Sequence, residues 1–183
     1  MKNIVLFTIV LLFANLTFAQ KMMTRSGEIK FESTFPGALD EVAAENKTAS
    51  CIFDKSNGDF VAQAQVKAFK FKIPLMEEHF NENYIESTTY PKADFKGKIL
   101  GFDATKLTNK PTIYDLDGNL TLHGITNKLK TKITLTLVGN KINASSNFTV
   151  SNAAYKINIP SLVKKKVTDD VKVTLNFSLD EKK

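Results

Sequence analysis

Apolar and polar side chains alternate with a period of two residues along most of this chain. In the last segment the apolar positions are Val171, Val173, Leu175, Phe177 and Leu179. Because successive side chains of a strand point to opposite faces, this pattern predicts a half-buried strand. The pattern recurs from Glu28 onward with regularly spaced turn signals, which predicts about eight or nine antiparallel strands in a sandwich or barrel.

Short glycine-containing pairs mark the predicted hairpin turns. These pairs are Asn57-Gly58, Asp117-Gly118 and Gly139-Asn140. Glycine and asparagine tolerate the positive φ that tight hairpins require. We also predict a return strand over residues 60–73 and a further strand over Ala153–Ile159.

One segment changes period and predicts the main helix. Met76, Phe80 and Tyr84 recur at four-residue intervals, which places them on one face of a helix. We predict this helix over residues 75–87. It should end before Pro91, which disfavours helical geometry at the preceding residue.

The N-terminus carries the features of a secretory signal peptide. Lys2 precedes an apolar run that ends at Leu16, and Thr17-Phe18-Ala19 follows. This pattern predicts cleavage after Ala19, with residues 1–19 as the leader and residues 20–183 as one domain. An uncleaved membrane anchor is the alternative. We expect a periplasmic or secreted protein, and no cysteine follows the cleavage point to carry a lipid.

Composition argues against several classes of site. Two histidines, His79 and His123, and the lone Cys51 give no short-spaced metal-ligand pair, so we expect no metal and no enzyme cofactor. Cys51 lies in an apolar segment and should be a buried small hydrophobe. Despite a net charge of +6 the chain has one arginine, Arg25, so we expect no nucleic-acid partner. Lys164–Lys166 predicts a solvated loop or, alternatively, an anion contact at a cavity mouth.

Aromatic residues recur at inward positions of the predicted strands. From composition alone they could fill a core completely or line a tunnel. The sequence also gives no motif for a Ser–His catalytic pair that would use His79, because no Gly-x-Ser-x-Gly elbow is present.

Three segments resemble the YceI-like family. The most specific is Ile73–Gly97, with its His79-Phe80 pair and a Tyr-Pro-x-Ala-x-Phe motif that begins at Tyr90. The second is Asp117–Thr126, and the third pairs Phe148-Thr149-Val150 with Tyr155-Lys156-Ile157. The third segment departs from the family pattern, since it lacks the glycine and the acidic residue expected before Ile157.

The resemblance implies an all-β fold with one main helix, an extended antiparallel eight-stranded β-barrel that is lipocalin-like. It also implies that the interior holds a polyisoprenoid or similar long-chain amphiphilic lipid, for storage or transport, rather than catalysis. Transient membrane contact and a homodimer are both compatible with it.

The residues expected in such a tunnel are mostly aromatic and aliphatic. We assign lipid contacts to Phe31, Phe69, Phe71, Met76, Phe80, Tyr84, Phe95, Leu122, Ile133, Leu135, Phe148, Tyr155 and Ile157. We assign headgroup contacts at the mouth to His79 and Asn83. Two other functions stay open at this point: a structural or interaction protein with a filled barrel, and a hydrolase that uses His79.

Overall fold

The computed structural model describes residues 21–181 and consists mainly of long antiparallel strands. The strands are β1 (Lys21–Thr34), β2 (Ala43–Asp54), β3 (Asp59–Gln65), β4 (Lys70–Phe71), β5 (Lys92–Leu100), β6 (Thr112–Leu122), β7 (Ile125–Val138), β8 (Lys141–Ser151) and β9 (Val167–Glu181). The α-helix, α1, spans Pro74–His79, and a π-helical turn continues it over Phe80–Tyr84. The predicted signal peptide lies outside the described residues.

Eight of these strands close into a barrel. Their order is β1-β9-β8-β7-β6-β5-β3-β2, and β2 pairs back onto β1 to complete the ring. The two-residue β4 pairs with the start of β2, where Ala44 lies opposite Phe71. This architecture confirms the predicted all-β, eight-stranded lipocalin-like barrel. In residues 21–181, no helix is both long and apolar enough to cross a membrane.

Because neighbouring strands are antiparallel, the connections between them lie at two opposite ends of the barrel. At one end lie the β2–β3, β5–β6 and β7–β8 connections, and at the other lie the β1–β2 and β8–β9 connections together with α1. We call the first the closed end and the second the mouth.

The closed end is filled by fully buried side chains. They include Met22, Phe53, Ile99, Ile142 and Leu179, each at most 1% exposed. Because protein interiors pack at near-crystalline density, these side chains form a packed core at this end.

The structure confirms two of the three predicted hairpin turns and corrects the third. Gly58 and Gly139 have positive φ and follow β2 and β7 as expected. The Asp117-Gly118 prediction is wrong, because Gly118 lies within β6 opposite Gly97 of β5. The turn after β6 is His123-Gly124, both with positive φ, as a two-residue type I′ hairpin requires.

Three other predicted elements differ from the structure. The strand expected over Ala153–Ile159 is a 3-10 turn, Ala153–Tyr155, followed by Lys156 at positive φ. Asp169 of β9 causes this, since its carboxylate accepts hydrogen bonds from Ala153 N and Ser151 Oγ. The strand expected over residues 60–73 breaks at a 3-10 turn, Val66–Ala68. The helix expected over residues 75–87 ends at Tyr84, and Glu86 then adopts positive φ.

Candidate functional site

A cavity of about 530 Å³ occupies the mouth half of the barrel. Its wall is made almost wholly of inward-facing apolar side chains, and every strand of the ring except β2 contributes at least one. Representative residues are Phe31, Ala64, Phe95, Leu120, Leu129, Phe148 and Val173. A volume of this size lies within the roughly 300–1,000 Å³ typical of small-molecule sites. The barrel is therefore hollow at this end, which argues against the filled-barrel alternative.

Small residues make room for the cavity on the β3–β5 wall. Ala62, Ala64 and Ala93 all line it, and Ala64 lies directly opposite Ala93 in the β3–β5 pairing. Larger side chains at these positions would project into the cavity. The short methyl side chains thus set its width at this wall.

Four phenylalanine rings form one side of the cavity next to α1. The Phe80 ring lies 5.4 Å from Phe31, 6.3 Å from Phe69 and 5.2 Å from Phe71, measured between ring centroids. Tilted and edge-to-face contacts at these distances are favourable beyond the area they bury. Phe80 therefore joins the π-helical turn to strands β1 and β4 and to the segment between β3 and β4.

A charge-assisted contact fixes α1 against β4. Glu77 Oε1 accepts a hydrogen bond from Lys70 Nζ at 2.5 Å, and Glu77 Oε2 accepts one from Phe71 N at 3.2 Å. The hydrogen bond from Lys70, together with that from the Phe71 amide, holds the pKa of the Glu77 carboxyl below its usual value despite some burial. The Asn81 side chain adds a bond from Nδ2 to the Glu77 carbonyl at 2.8 Å.

A second contact holds the segment that follows the π-helical turn. His123 Nδ1 donates to the Tyr155 carbonyl at 2.9 Å, which joins the β6–β7 turn to the segment after β8, whereas His123 Nε2 lies 3.5 Å from Glu86 Oε1 without forming a hydrogen bond. The ring of Tyr90 packs edge-on against His123 with centroids 4.5 Å apart. Burial raises the pKa of the Tyr155 hydroxyl. The Tyr90–His123 ring contact therefore ties the chain after α1 to the β6–β7 turn.

The charged side chains that line the cavity lie on segments at the mouth. Asp40, His79 and Lys166 line the cavity and are exposed. Ser33 also faces the cavity but is buried, and its hydroxyl donates to the Thr168 carbonyl at 2.9 Å. An apolar interior with an ionic opening suits an amphiphile whose polar end stays near water.

Most of the residues assigned from sequence lie together on the cavity wall. These are Phe31, Phe69, Phe71, Met76, Phe80, Tyr84, Phe95, Leu122, Phe148 and Ile157, with His79 at the opening. Whether they contact a lipid stays a prediction.

Four of the assigned residues lie elsewhere. Ile133 and Leu135 are fully buried in the packed core, because β7 reaches the closed end there. Tyr155 is buried among Val66 and Ile85 behind the wall. Asn83 is exposed on the π-helical turn and does not line the cavity.

Sequence reasoning missed several wall residues. Ala62 and Ala64 fit the expected alternation of β3. They were not assigned to the tunnel because the assignment favoured large aromatic and aliphatic side chains. Leu129, Val150 and Val173 are ordinary inward aliphatic residues of β7, β8 and β9. Strand alternation is the sequence signal that would have found them.

Neither the histidines nor the cysteine form a metal centre in the part of the chain that the structure describes. Within residues 21–181 no group of three or more His, Cys, Asp or Glu side chains is arranged to hold a metal ion. Cys51 is 1% exposed, and burial raises the pKa of its thiol far above the usual value.

The sequence as a whole matches one domain family. The YceI-like domain matches residues 14–179, which is nearly the full chain. The chain belongs to the YceI-like family. Among curated proteins no relative matches this YceI-like chain.

Solved structures share the YceI-like barrel at low sequence identity. A polyisoprenoid-binding domain from Saccharophagus degradans, implicated in plant cell wall breakdown, has a TM-score of 0.76 at 14% identity, covering 91% of this chain and 100% of that one. Burkholderia cenocepacia BcnA has a TM-score of 0.67 at 17% identity, with 84% and 95% covered. A Campylobacter jejuni YceI protein has a TM-score of 0.65 at 16% identity, with 80% and 88% covered. At these identities the likeness concerns the fold.

Proposed function

We propose that this YceI-like protein holds a polyisoprenoid or similar long-chain amphiphilic lipid inside its barrel, for storage or transport. The observation that carries the proposal is the apolar cavity of about 530 Å³ at the mouth end. The S. degradans domain of similar fold is described as binding polyisoprenoid, which supports the same class of cargo.

The wall chemistry favours a hydrocarbon chain over a polar ligand. A polar group placed beside Phe31, Phe95, Leu120 or Phe148 would lose its hydrogen bonds to water without replacement. Each methylene transferred from water to an apolar site contributes about 0.8 kcal/mol, so a few isoprene units suffice for tight retention.

The opening favours a chain with a polar end. Asp40, His79 and Lys166 line the cavity where it meets solvent, and each is exposed. We propose that the cargo enters tail first and leaves its headgroup among these three side chains. His79 keeps the headgroup role assigned to it from sequence.

We further propose that the protein works outside the cytoplasm, as a periplasmic or secreted carrier. The apolar run that ends at Leu16, followed by Thr17-Phe18-Ala19, supports export with cleavage after Ala19. N-terminal sequencing of the protein recovered from its native compartment tests this, and a retained Met1 would contradict it.

A pair of phenylalanine substitutions on β3 tests the cavity as the binding site. Ala64 is 2% exposed and lines the cavity, whereas Val61 is 40% exposed on the outer face of the same strand. Ala64→Phe should therefore reduce uptake of a fluorescent polyprenol by at least about tenfold, because the ring occupies space that the chain needs. Val61→Phe should leave uptake unchanged.

Fold must be measured alongside uptake. Far-ultraviolet circular dichroism and the thermal midpoint show whether Ala64→Phe still forms the barrel. A folded Ala64→Phe protein that takes up polyprenol as well as the wild type would contradict binding in this cavity.

A further inference from the structure

Exposed apolar side chains concentrate around the mouth of the barrel. Of the ten large hydrophobic residues exposed in the described chain, five lie on three segments: residues 35–42, 72–75 and 160–166. We call these three segments the mouth rim, and the five residues are Phe35, Leu39, Ile73, Leu75 and Leu162. Leu39 and Leu162 are 103% and 93% exposed, so both side chains project fully into solvent.

The segments of the mouth rim adjoin one another and the cavity. Phe35 N donates to the Lys166 carbonyl at 2.9 Å, which joins the first segment to the third. An ion pair between Lys72 and Glu41 joins the first to the second. Asp40, Leu75 and Val163, one from each segment, line the cavity itself. The exposed apolar side chains therefore surround the opening.

The mouth rim also carries an excess of positive charge. It contains four lysines, Lys72 and Lys164–Lys166, against two acids, Asp40 and Glu41. Beyond the mouth rim, α1 carries Glu77, which pairs with Lys70, and the exposed Glu78. Because Lys72 pairs with Glu41, the remaining charges are the three consecutive lysines and Asp40, a net charge of +2, and all three lysines are exposed. These lysines directly follow Leu162 and Val163, so apolar and cationic side chains share one loop.

We propose that the mouth rim docks on the surface of a bilayer that contains anionic phospholipid. Leu162 shares its loop with Lys164–Lys166, and Leu39 projects from the adjoining loop. Exposed apolar side chains next to a lysine cluster match the chemistry of peripheral membrane anchors, in which apolar side chains enter the interface and lysines face anionic headgroups. A docked mouth would open directly toward the layer that holds a lipid cargo. The inference rests on the proposed function and adds the partner from which that cargo enters.

Vesicle flotation with the purified protein tests the docking. The two vesicle preparations are pure phosphatidylcholine, and phosphatidylcholine mixed with phosphatidylglycerol. The protein should bind the mixed vesicles more tightly, and added salt should weaken that binding because it screens the lysines. Equal binding to both preparations, or to neither, would overturn the proposal.

Two sets of variants locate the contact. Lys164→Gln/Lys165→Gln/Lys166→Gln should weaken binding to the mixed vesicles by about a hundredfold, since each lysine near an anionic surface contributes roughly a factor of five. The control Lys96→Gln/Lys98→Gln/Lys110→Gln removes the same charge from β5 and from the β5–β6 connection at the closed end, where all three are exposed, and should change binding far less. Leu39→Ala/Leu162→Ala should weaken binding by at least about tenfold.

Cargo binding is measured separately, as uptake of polyprenol delivered from cyclodextrin without any membrane. Wild-type uptake together with absent vesicle binding would overturn the docking proposal alone, whereas absent uptake would contradict the proposed function. Analytical ultracentrifugation supplies one more outcome. A dimer that Leu39→Ala/Leu162→Ala dissociates, without vesicle binding by the wild type, would show that a second copy covers the mouth rim and would overturn the proposal.

Discussion

Gly118 of β6 lies directly opposite Gly97 of β5, and the ring of Phe95 packs over both. A Cβ atom added to Gly118 would lie 2.5 Å from Phe95 Cζ and 2.6 Å from Gly97 Cα. Neither distance is tolerable for a real methyl group. The two glycines thus allow a bulky ring to lie flat inside the barrel, where Phe95 also forms part of the cavity wall.

Substituting Gly118 should therefore destabilise the barrel. Gly118→Ala forces Phe95 or the β5 backbone to move, and such overpacking costs about 1–3 kcal/mol. Urea denaturation measures the loss. Asn119→Ala is the control, because this neighbouring side chain on β6 is exposed and should alter the free energy of unfolding by less than about 0.5 kcal/mol. Equal stability of Gly118→Ala and wild type would contradict the packing described.

Gly118 also shows what local sequence could not predict. Asp117-Gly118 has the composition of a hairpin turn, and local composition carries no information about a ring that arrives from the neighbouring strand. Strand alternation did predict the barrel strands on either side, because inward and outward positions depend on the strand's own period. Gly118 is required by a partner more than twenty residues away in the chain.

A long-range contact also explains why the segment after β8 is not a strand. Asp169 turns the segment after Ser151 away from a strand by accepting the Ala153 amide at 2.8 Å. Periodicity predicted that Met76, Phe80 and Tyr84 share one helical face, and all three line the cavity. It could not locate the change from α-helix to π-helical turn at Phe80. The cavity volume could not be predicted from the sequence either, because it depends on the small side chains of Ala62 and Ala64, which line the cavity.

Cys51 should be chemically inert while the barrel is folded. Its side chain is 1% exposed, and burial raises the pKa of the thiol, so the reactive thiolate is absent near neutral pH. Alkylation by iodoacetamide should proceed only through opening of the barrel and should accelerate sharply in denaturant. Rapid labelling of the native protein would contradict the burial.

The same burial predicts a loss of stability in alkali. The folded pKa of the thiol is raised above its unfolded value of about 8.5, so its contribution is fully present below that pH and declines as pH rises beyond it. Cys51→Ala should lack this part of the alkaline decline. Parallel pH profiles of unfolding free energy for the two proteins would count against the prediction.

Glu77 should control how firmly α1 sits beside the cavity. Glu77→Gln removes the charge that accepts hydrogen bonds from Lys70 Nζ and Phe71 N. A hydrogen bond to a charged group contributes about 1.5–3 kcal/mol, so hydrogen-exchange protection of the Phe71 amide should fall by roughly tenfold. Glu78→Gln is the matched control, because Glu78 is exposed on the same helix. Equal protection of Phe71 in both variants would refute the anchoring role.

Acid should release the same contact. The folded pKa of Glu77 is lowered, so its contribution is present above the unfolded value of about 4.3 and is lost as pH falls through the lower, folded pKa. In the wild type, Phe71 protection should therefore decline in that acid range, whereas in Glu77→Gln it should already be low and change little.

The most direct test of a lipid-holding barrel is native mass spectrometry of the protein purified from its source without detergent. We expect a species heavier than the polypeptide, which loses one amphiphilic lipid on collisional activation and whose organic extract contains a polyisoprenoid or similar long-chain compound. Ala64→Phe should show mainly the bare polypeptide, and Val61→Phe should keep the adduct. A wild-type protein that carries no lipid and gains none when incubated with polyprenyl compounds would contradict the proposed lipid binding.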